Sequence, residues 1–359
     1  MSVSPFDHPW LSALLGDDEI ARHFRPEAEL SAMMIVETTL ARVQSDLGII
    51  SADAGRAIAA TLANFRPNPA ELSAGTARDG VVVPEWVDQI RHIVGPLHAH
   101  DVHFGATSQD IIDTALILRL KPSVAALEAR LAELDSRLSQ LAHKIGAQPL
   151  QAYTRMQPAM QITWADKIGA WRAPFLRHLD RLRELKPRLL VVQFGGPAGT
   201  LDKFGDRGSA LVAAFAEALE LGAPDAAWHS ARDSIAELAG WLSLVTGSLG
   251  KIGQDVALLA QIGDITLAGG GKSSAMTHKN NPVAAEVLVA LARFNATQLS
   301  GMHHALVHEQ ERSGAAWTLE WMLLPQMVVA TGAALARATT LLEPGSLSIR
   351  TTTQGRSDS

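Results

Sequence analysis

Between residues 120 and 141 an apolar side chain recurs at alternating four- and three-residue steps: Leu120, Val124, Leu127, Leu131, Leu134, Leu138 and Leu141. This spacing puts all seven on one stripe of an α-helix, whereas a β-strand would scatter them over both faces. The stripe must be covered, so the chain has to supply further long helices to pack against it. Pro122 is expected to bend the start of this helix. A second long helical stretch is expected over residues 162–190, interrupted at Pro174, with others near 207–221, 229–262, 283–311 and 320–342. Composition agrees, because Ala and Leu dominate while Tyr occurs once, and both lose little freedom in a helix. Almost no two-residue alternation is visible. The run 189–192 is the best strand candidate and reads better as a helix end.

The N-terminal part has shorter elements. Residues 28–47 and 53–65 read as helices, Pro67 and Pro69 break the chain, 75–83 read as irregular, and Pro84 opens a short helix through Ile93. The expected fold class is all-α. A small N-terminal helical domain (1–100) precedes a central long-helix bundle (101–343) and a disordered tail (344–359) rich in Ser, Thr and Gly.

Several chemistries are excluded. The 359-residue chain has no cysteine, so disulfides, thiolate zinc sites and cysteine nucleophiles are ruled out. A formal charge of −6 gives no support for nucleic-acid binding and means that an anionic substrate needs local cations. The N-terminus lacks the basic start and apolar core of a signal peptide, and no apolar run reaches the ~20 residues that span a bilayer. A cytoplasmic location is expected.

Residues 269–282 run Gly-Gly-Gly-Lys-Ser-Ser-Ala-Met-Thr-His-Lys-Asn-Asn-Pro. Three glycines between helices make a loop that can approach a ligand closely. Pro282 is expected to open the next helix, whose first free N–H groups suit a carboxylate. A serine among such groups and Lys279 could act as a proton donor or have its alkoxide stabilised. A surface loop with incidental polar residues fits the spacing alone equally well. A phosphate-binding P-loop does not fit, because Thr266 stands where that motif needs glycine and no strand precedes it.

The loop resembles the G-S-S-x-M-P-x-K-x-N-P signature of the fumarase/aspartase superfamily. The serine pair, Met276, Lys279, Asn281 and Pro282 match in register, while Lys272 replaces the glycine and Thr277 the first proline. The resemblance implies Ser273 as the proton-transfer residue, Lys279 and Asn281 as catalytic supports that bind carboxylate, and Ser274 and Met276 against the substrate. The stretch 102–114, Val-His-Phe-Gly-Ala-Thr-Ser-Gln-Asp-Ile-Ile-Asp-Thr, is a plausible helix cap by itself. It also looks like the second superfamily motif, nearest the version in 3-carboxy-cis,cis-muconate cycloisomerases, which places Thr107, Ser108 and Gln109 at the substrate. Segments 192–199, 228–233, 247–253 and 308–313, with Trp317, Glu320 and Trp321, resemble the same enzymes, and the similarity covers most of residues 20–340. It implies a homotetramer whose active sites each combine segments of three subunits, a small anionic substrate and no cofactor or metal. The family's third, C-terminal helical domain is expected to be shortened or missing.

One departure matters. Superfamily lyases carry Thr-His-x-Gln at the start of the second long helix. Here the matching residues are Thr154, Arg155, Met156 and Gln157, with Arg155 at the histidine position. The cycloisomerases vary there too, often placing a histidine just after the glutamine, where this chain has Pro158. Arg155 and Gln157 are therefore expected at the substrate, Arg155 offering a permanent charge and a planar fork of donors to an anionic substituent. Arg312 is a further candidate for the pocket, although an ion pair with another helix would account for it equally well. His303, His304 and His308 lack convincing metal spacing and are read as structural. Two alternatives stand beside the cycloisomerase: a fumarate-releasing elimination of the adenylosuccinate-lyase type, and an inactive helical scaffold.

Overall fold

The computed structural model describes residues 3–276 and 279–349. Two short helices, α1 (Ser12–Leu15) and α2 (Asp18–Ala21), lead into α3 (Pro26–Asp46), α4 (Ala52–Asn64), α5 (Pro69–Asp79) and α6 (Val83–Val94). The long helix α7 (Ser108–Ile145) is followed by strands β1 (Pro149–Thr154) and β2 (Gln157–Thr163) and by α8 (Trp164–Leu189). Then come α9 (Gly208–Ala218), α10 (Asp233–Ile262), β3 (Ile265–Leu267), β4 (Gly271–Lys272), β5 (Asn280–Asn281), α11 (Val283–His304), α12 (Ala315–Leu341) and β6 (Leu347–Ile349).

The leucine stripe organises the bundle as its spacing requires. Leu120 to Leu138 along the seam are buried, and they share one apolar cluster with α8, α10, α11 and α12. Each such side chain contributes roughly 1.5–3 kcal/mol when fully buried. Pro122 does not interrupt α7, which runs unbroken for 38 residues. Helix α12 is long and apolar enough, by length and composition, to cross a bilayer, which the sequence reading did not anticipate; here it packs against α7, α10 and α11. A second apolar cluster joins α3, α4 and α6 to the start of α7, to α9 and to Val192, Phe194 and Trp317. The segment after α8 thus folds back to complete a core that the sequence reading confined to the first hundred residues.

Three expectations are corrected. Residues 69–79 form α5, because Pro69 occupies its first turn, where no N–H is needed, and the Asn68 side chain accepts from Ala70 N. The second long helix begins at Trp164, since residues 149–163 form an antiparallel hairpin. Leu347–Ile349, expected within a disordered tail, pair with Ile265–Leu267; residues 350–359 lie outside the described residues.

Inside the bundle His178 is buried, with Nε2 2.9 Å from Ser248 Oγ and Arg181 Nη1 3.2 Å from Nδ1. Burial, aided by Arg181 and Arg177, pushes its pKa down to about 4. The unfolded chain, whose histidine titrates near 6.5, therefore binds more protons between these values. This contribution to stability is complete above about pH 6.5 and is lost as pH falls through about 4. Urea unfolding should show His178→Gln losing less stability than the parent between pH 7 and 4, by on the order of 2–3 kcal/mol. Parallel pH profiles would refute this.

Candidate active site

At the N-terminus of α7, Thr107 caps the helix with extended backbone, and Asp110 closes a capping box by accepting from Thr107 N at 2.9 Å. Asp110 does more than cap. Its carboxylate, 1 % exposed, also accepts from Gly195 N and Gly196 N, both at 2.9 Å, and lies 2.8 Å from His229 Nε2. A carboxylate only accepts, so that ring nitrogen carries the hydrogen. The glycines are required: a Cβ on Gly195 would sit 2.6 Å from Ala227 Cβ, and Gly196 has φ +72°. One buried carboxylate thus ties the helix cap, the Gly195–Gly196 turn and His229 together, with its charge satisfied as burial demands.

One turn along α7, Asp113 forms a second hub. It accepts from Arg232 Nη1 (2.6 Å), Trp317 Nε1 (3.1 Å) and Gln109 Nε2 (3.1 Å). Arg232 also grips Glu320 through Nε (2.9 Å) and Nη2 (2.5 Å), and its guanidinium lies 4.7 Å from the Trp228 ring centroid. Burial alone would raise the Glu320 pKa, but His308, 3.7 Å from its carboxylate, and the hydrogen-bonded Arg232 guanidinium hold it below the usual carboxylate range. Burial works against the Arg232 charge in the same way, and Asp113 and Glu320 outweigh it, so its pKa is raised.

Gln109 and Trp317, both hydrogen-bonded to Asp113, line a cavity of about 840 Å³ together with Ser108, Arg312 and Ser313. Arg312 Nη1 donates to Thr107 Oγ1, bringing a cation from the 305–314 segment onto the α7 cap. Ser313 Oγ accepts from Ala316 N and so helps to start α12. Gln109 behaves differently from its sequence reading. Its amide nitrogen donates to Asp113 Oδ2 and to His229 O, at 3.1 and 2.9 Å, and both partners are acceptors only. The amide orientation is therefore fixed, and its hydrogens are spent inside the protein rather than on a substrate carboxylate.

The 269–282 loop is anchored at its stem. Gly271 pairs with Asn281 and Lys272 with Asn280, while Asn280 Nδ2 donates to Leu267 O at 2.8 Å. Gly270 sits too close for a side chain, because a Cβ there would fall 2.7 Å from the backbone Asn281 O as well as against the Asn280 amide. Ser273 Oγ accepts from Ala275 N (3.3 Å) and Met276 N (3.1 Å), which orients the hydroxyl and leaves its hydrogen available to donate. Ser274, Met276 and Lys279 are exposed. Pro282 stands just before α11 rather than in its first turn. Thr277 and His278 lie outside the described residues.

Arg155 and Met156 form the two-residue turn of the β1–β2 hairpin, with φ of +48° and +65°. Both positive values mark the hairpin turn that glycine or asparagine usually occupies. Arg155 and Gln157 are exposed on it. A single chain therefore gathers Thr107, Ser108, Gln109 and Arg312 at one place. Ser273, Ser274, Met276, Lys279 and Asn281 occupy a second and Arg155 and Gln157 a third; neither group lines the 840 Å³ cavity. Sequence reasoning assigned no role to Asp110, Asp113, His229, Arg232 or Glu320. The three-residue step between Asp110 and Asp113 and the His229-x-x-Arg232 spacing were the available signals.

With this geometry in view, the relatives are informative. Residues 16–295 match the lyase family model. The chain is 35% identical to the 3-carboxy-cis,cis-muconate cycloisomerase of Acinetobacter baylyi, over 92% of this chain and 76% of that protein. It is 38% identical to the enzyme of the same name from Pseudomonas aeruginosa, over 89% of this chain and 72% of that protein. The crystal structure of the 3-carboxy-cis,cis-muconate lactonizing enzyme from Pseudomonas putida superposes with a TM-score of 0.88 at 34% identity, covering 95% of this chain and 77% of that one. The motifs, the helical bundle and these matches agree: the chain belongs to the lyase family of the fumarase/aspartase superfamily.

Proposed function

We propose that this protein is a lactonizing cycloisomerase acting on a 3-substituted cis,cis-muconate. The observation that carries this reading is likeness to cycloisomerases along about nine-tenths of the chain, joined to Arg155 in place of the histidine of superfamily lyases. In an elimination the amine or hydroxyl leaving group needs a proton. In lactone formation a substrate carboxylate oxygen bonds to a carbon of the substrate's own double bond. The displaced π pair passes to the carbon α to the other carboxylate, which takes one proton. In reverse the leaving group is a carboxylate of pKa near ~4, which leaves without protonation. A single proton-transfer residue suffices, and Ser273 takes that role. Lys279 and Asn281 hold the carboxylate on which charge accumulates.

Arg155 selects the 3-substituent. Its fixed positive charge suits a carboxylate or a sulfonate, so 3-sulfo-cis,cis-muconate is a substrate candidate beside the 3-carboxy compound. The three groups of site residues meet when subunits associate, in a homotetramer whose hairpins reach neighbouring subunits. The exposure of Tyr153, Met156 and Met160 on the hairpin supports this. Purified protein should abolish the ultraviolet diene band of one or both muconates in parallel assays, and its specific activity should fall on dilution. Consumption of neither, with fumarate released from a succinyl-substituted substrate, moves the chain to the elimination reading. Activity that is independent of concentration in a monomer sinks the shared site.

A further inference from the structure

The strand Leu347–Ile349 lies far from Ser273 in sequence, yet it is joined to the stem of the Ser273 loop. Its pairs are Ile265 with Ile349, Thr266 with Ser348 and Leu267 with Leu347, and Ala268 N donates to Ser346 O at 2.9 Å. Because Ala268 N donates across the ladder to Ser346 O, alternation makes 266/348 the next hydrogen-bonded pair, with Ser348 N–H donating to Thr266 O. The other two rungs set Ile265 against Ile349 and Leu267 against Leu347 on the face that joins the bundle core, while Thr266 and Ser348 face solvent. Leu267 O, in the same strand, accepts the Asn280 side chain from the returning limb of the loop. Both limbs of the stem are thus referred to one strand, β3, which is held in turn by β6 at the end of α12.

We infer that Leu347–Ile349 is a positioning strand for the Ser273 loop: pairing with Ile265–Leu267 sets where the loop leaves the bundle and so where the serine hydroxyl stands. The stem needs such support. Beyond Leu267 come three glycines, and β4–β5 is only two residues long on each side, too short to fix a loop by itself. A small misplacement of a reacting group is costly to rate while leaving the fold unaffected. The inference rests on the reading of Ser273 as the proton-transfer residue.

Ser348→Pro removes the ladder donor at an exposed position without deleting an apolar side chain, and Ser348→Thr keeps the donor. Amide exchange without substrate should quicken across 265–276 in Ser348→Pro and stay at the parent rate in Ser348→Thr. Turnover of the muconate consumed by the parent should fall by about tenfold or more in Ser348→Pro alone, with the melting of the bundle little changed. Thr266→Pro, which removes the opposite donor of the same rung, should reproduce both effects. Unchanged exchange in either proline variant overturns the inference, and so does faster exchange with full turnover. If the parent consumes neither muconate, the proposed function fails, and the exchange rates alone decide whether the strand holds the stem.

Discussion

Ser273→Ala is expected to lower turnover of the muconate substrate by a factor of about 10²–10⁴, the range over which a positioned proton-transfer group contributes. The hydroxyl oxygen is held by two backbone N–H groups, from Ala275 and Met276. Its one remaining hydrogen is the proton that can be delivered, and the same two donors stabilise the alkoxide left behind. Alanine removes the proton and the charge-bearing atom but keeps the backbone path. KM should change little, because Lys279, Asn281, Thr107 and Arg312 are untouched. Stability should change by no more than about 1 kcal/mol, since the two backbone donors can turn to water. Parent-like kcat in the alanine variant, measured by loss of the diene band, would remove Ser273 from the chemistry. Lost activity with a lowered melting temperature would mark a structural defect instead.

The second large effect concerns stability. Arg232 is 2 % exposed between Asp113 at 0 % and Glu320 at 2 %. Substitution by methionine keeps an apolar stem but leaves two buried carboxylates without their cation, a loss of the kind that costs about 3–5 kcal/mol. Lysine should recover only part of this, because a single ammonium cannot fork to two carboxylates as the guanidinium does. Combining Arg232→Met with Asp113→Asn and Glu320→Gln should restore much of the stability by removing the stranded charges. Urea titrations of the four proteins at pH 7 test this. A loss under about 1 kcal/mol in Arg232→Met would show that the network contributes little. Because Asp113 also orients Gln109 and Trp317, the methionine variant should raise KM even at temperatures where it stays folded.

The helices of the bundle were legible in the sequence because burial against one another requires a 3.5–3.6-residue period that local composition displays. Their ends were less so: α11 stops at His304, seven residues short of expectation, since the polar run His308-Glu-Gln-Glu-Arg312 could as well continue a helix as leave it. The hairpin was invisible. Its turn carries Arg155 and Met156 instead of the glycine or asparagine that signals such a turn, and β2 is exposed along most of its length, so no alternation of apolar and polar residues betrays it. The β3–β6 pair escaped notice for a related reason, being two three-residue strands about eighty residues apart.

The sequence by itself determined a mainly helical fold through its apolar spacing and, through resemblance to the superfamily signature, the loop with Ser273, Lys279 and Asn281 and the arginine at 155, because each is written in contiguous residues. Tertiary structure decided which distant side chains neutralise one another. It made Asp110 a hub for the α7 cap and the glycine turn, it spent the Gln109 donors on Asp113 and His229, and it set Arg312 against Thr107. These depend on burial, since only a carboxylate removed from water is forced to find every partner within reach.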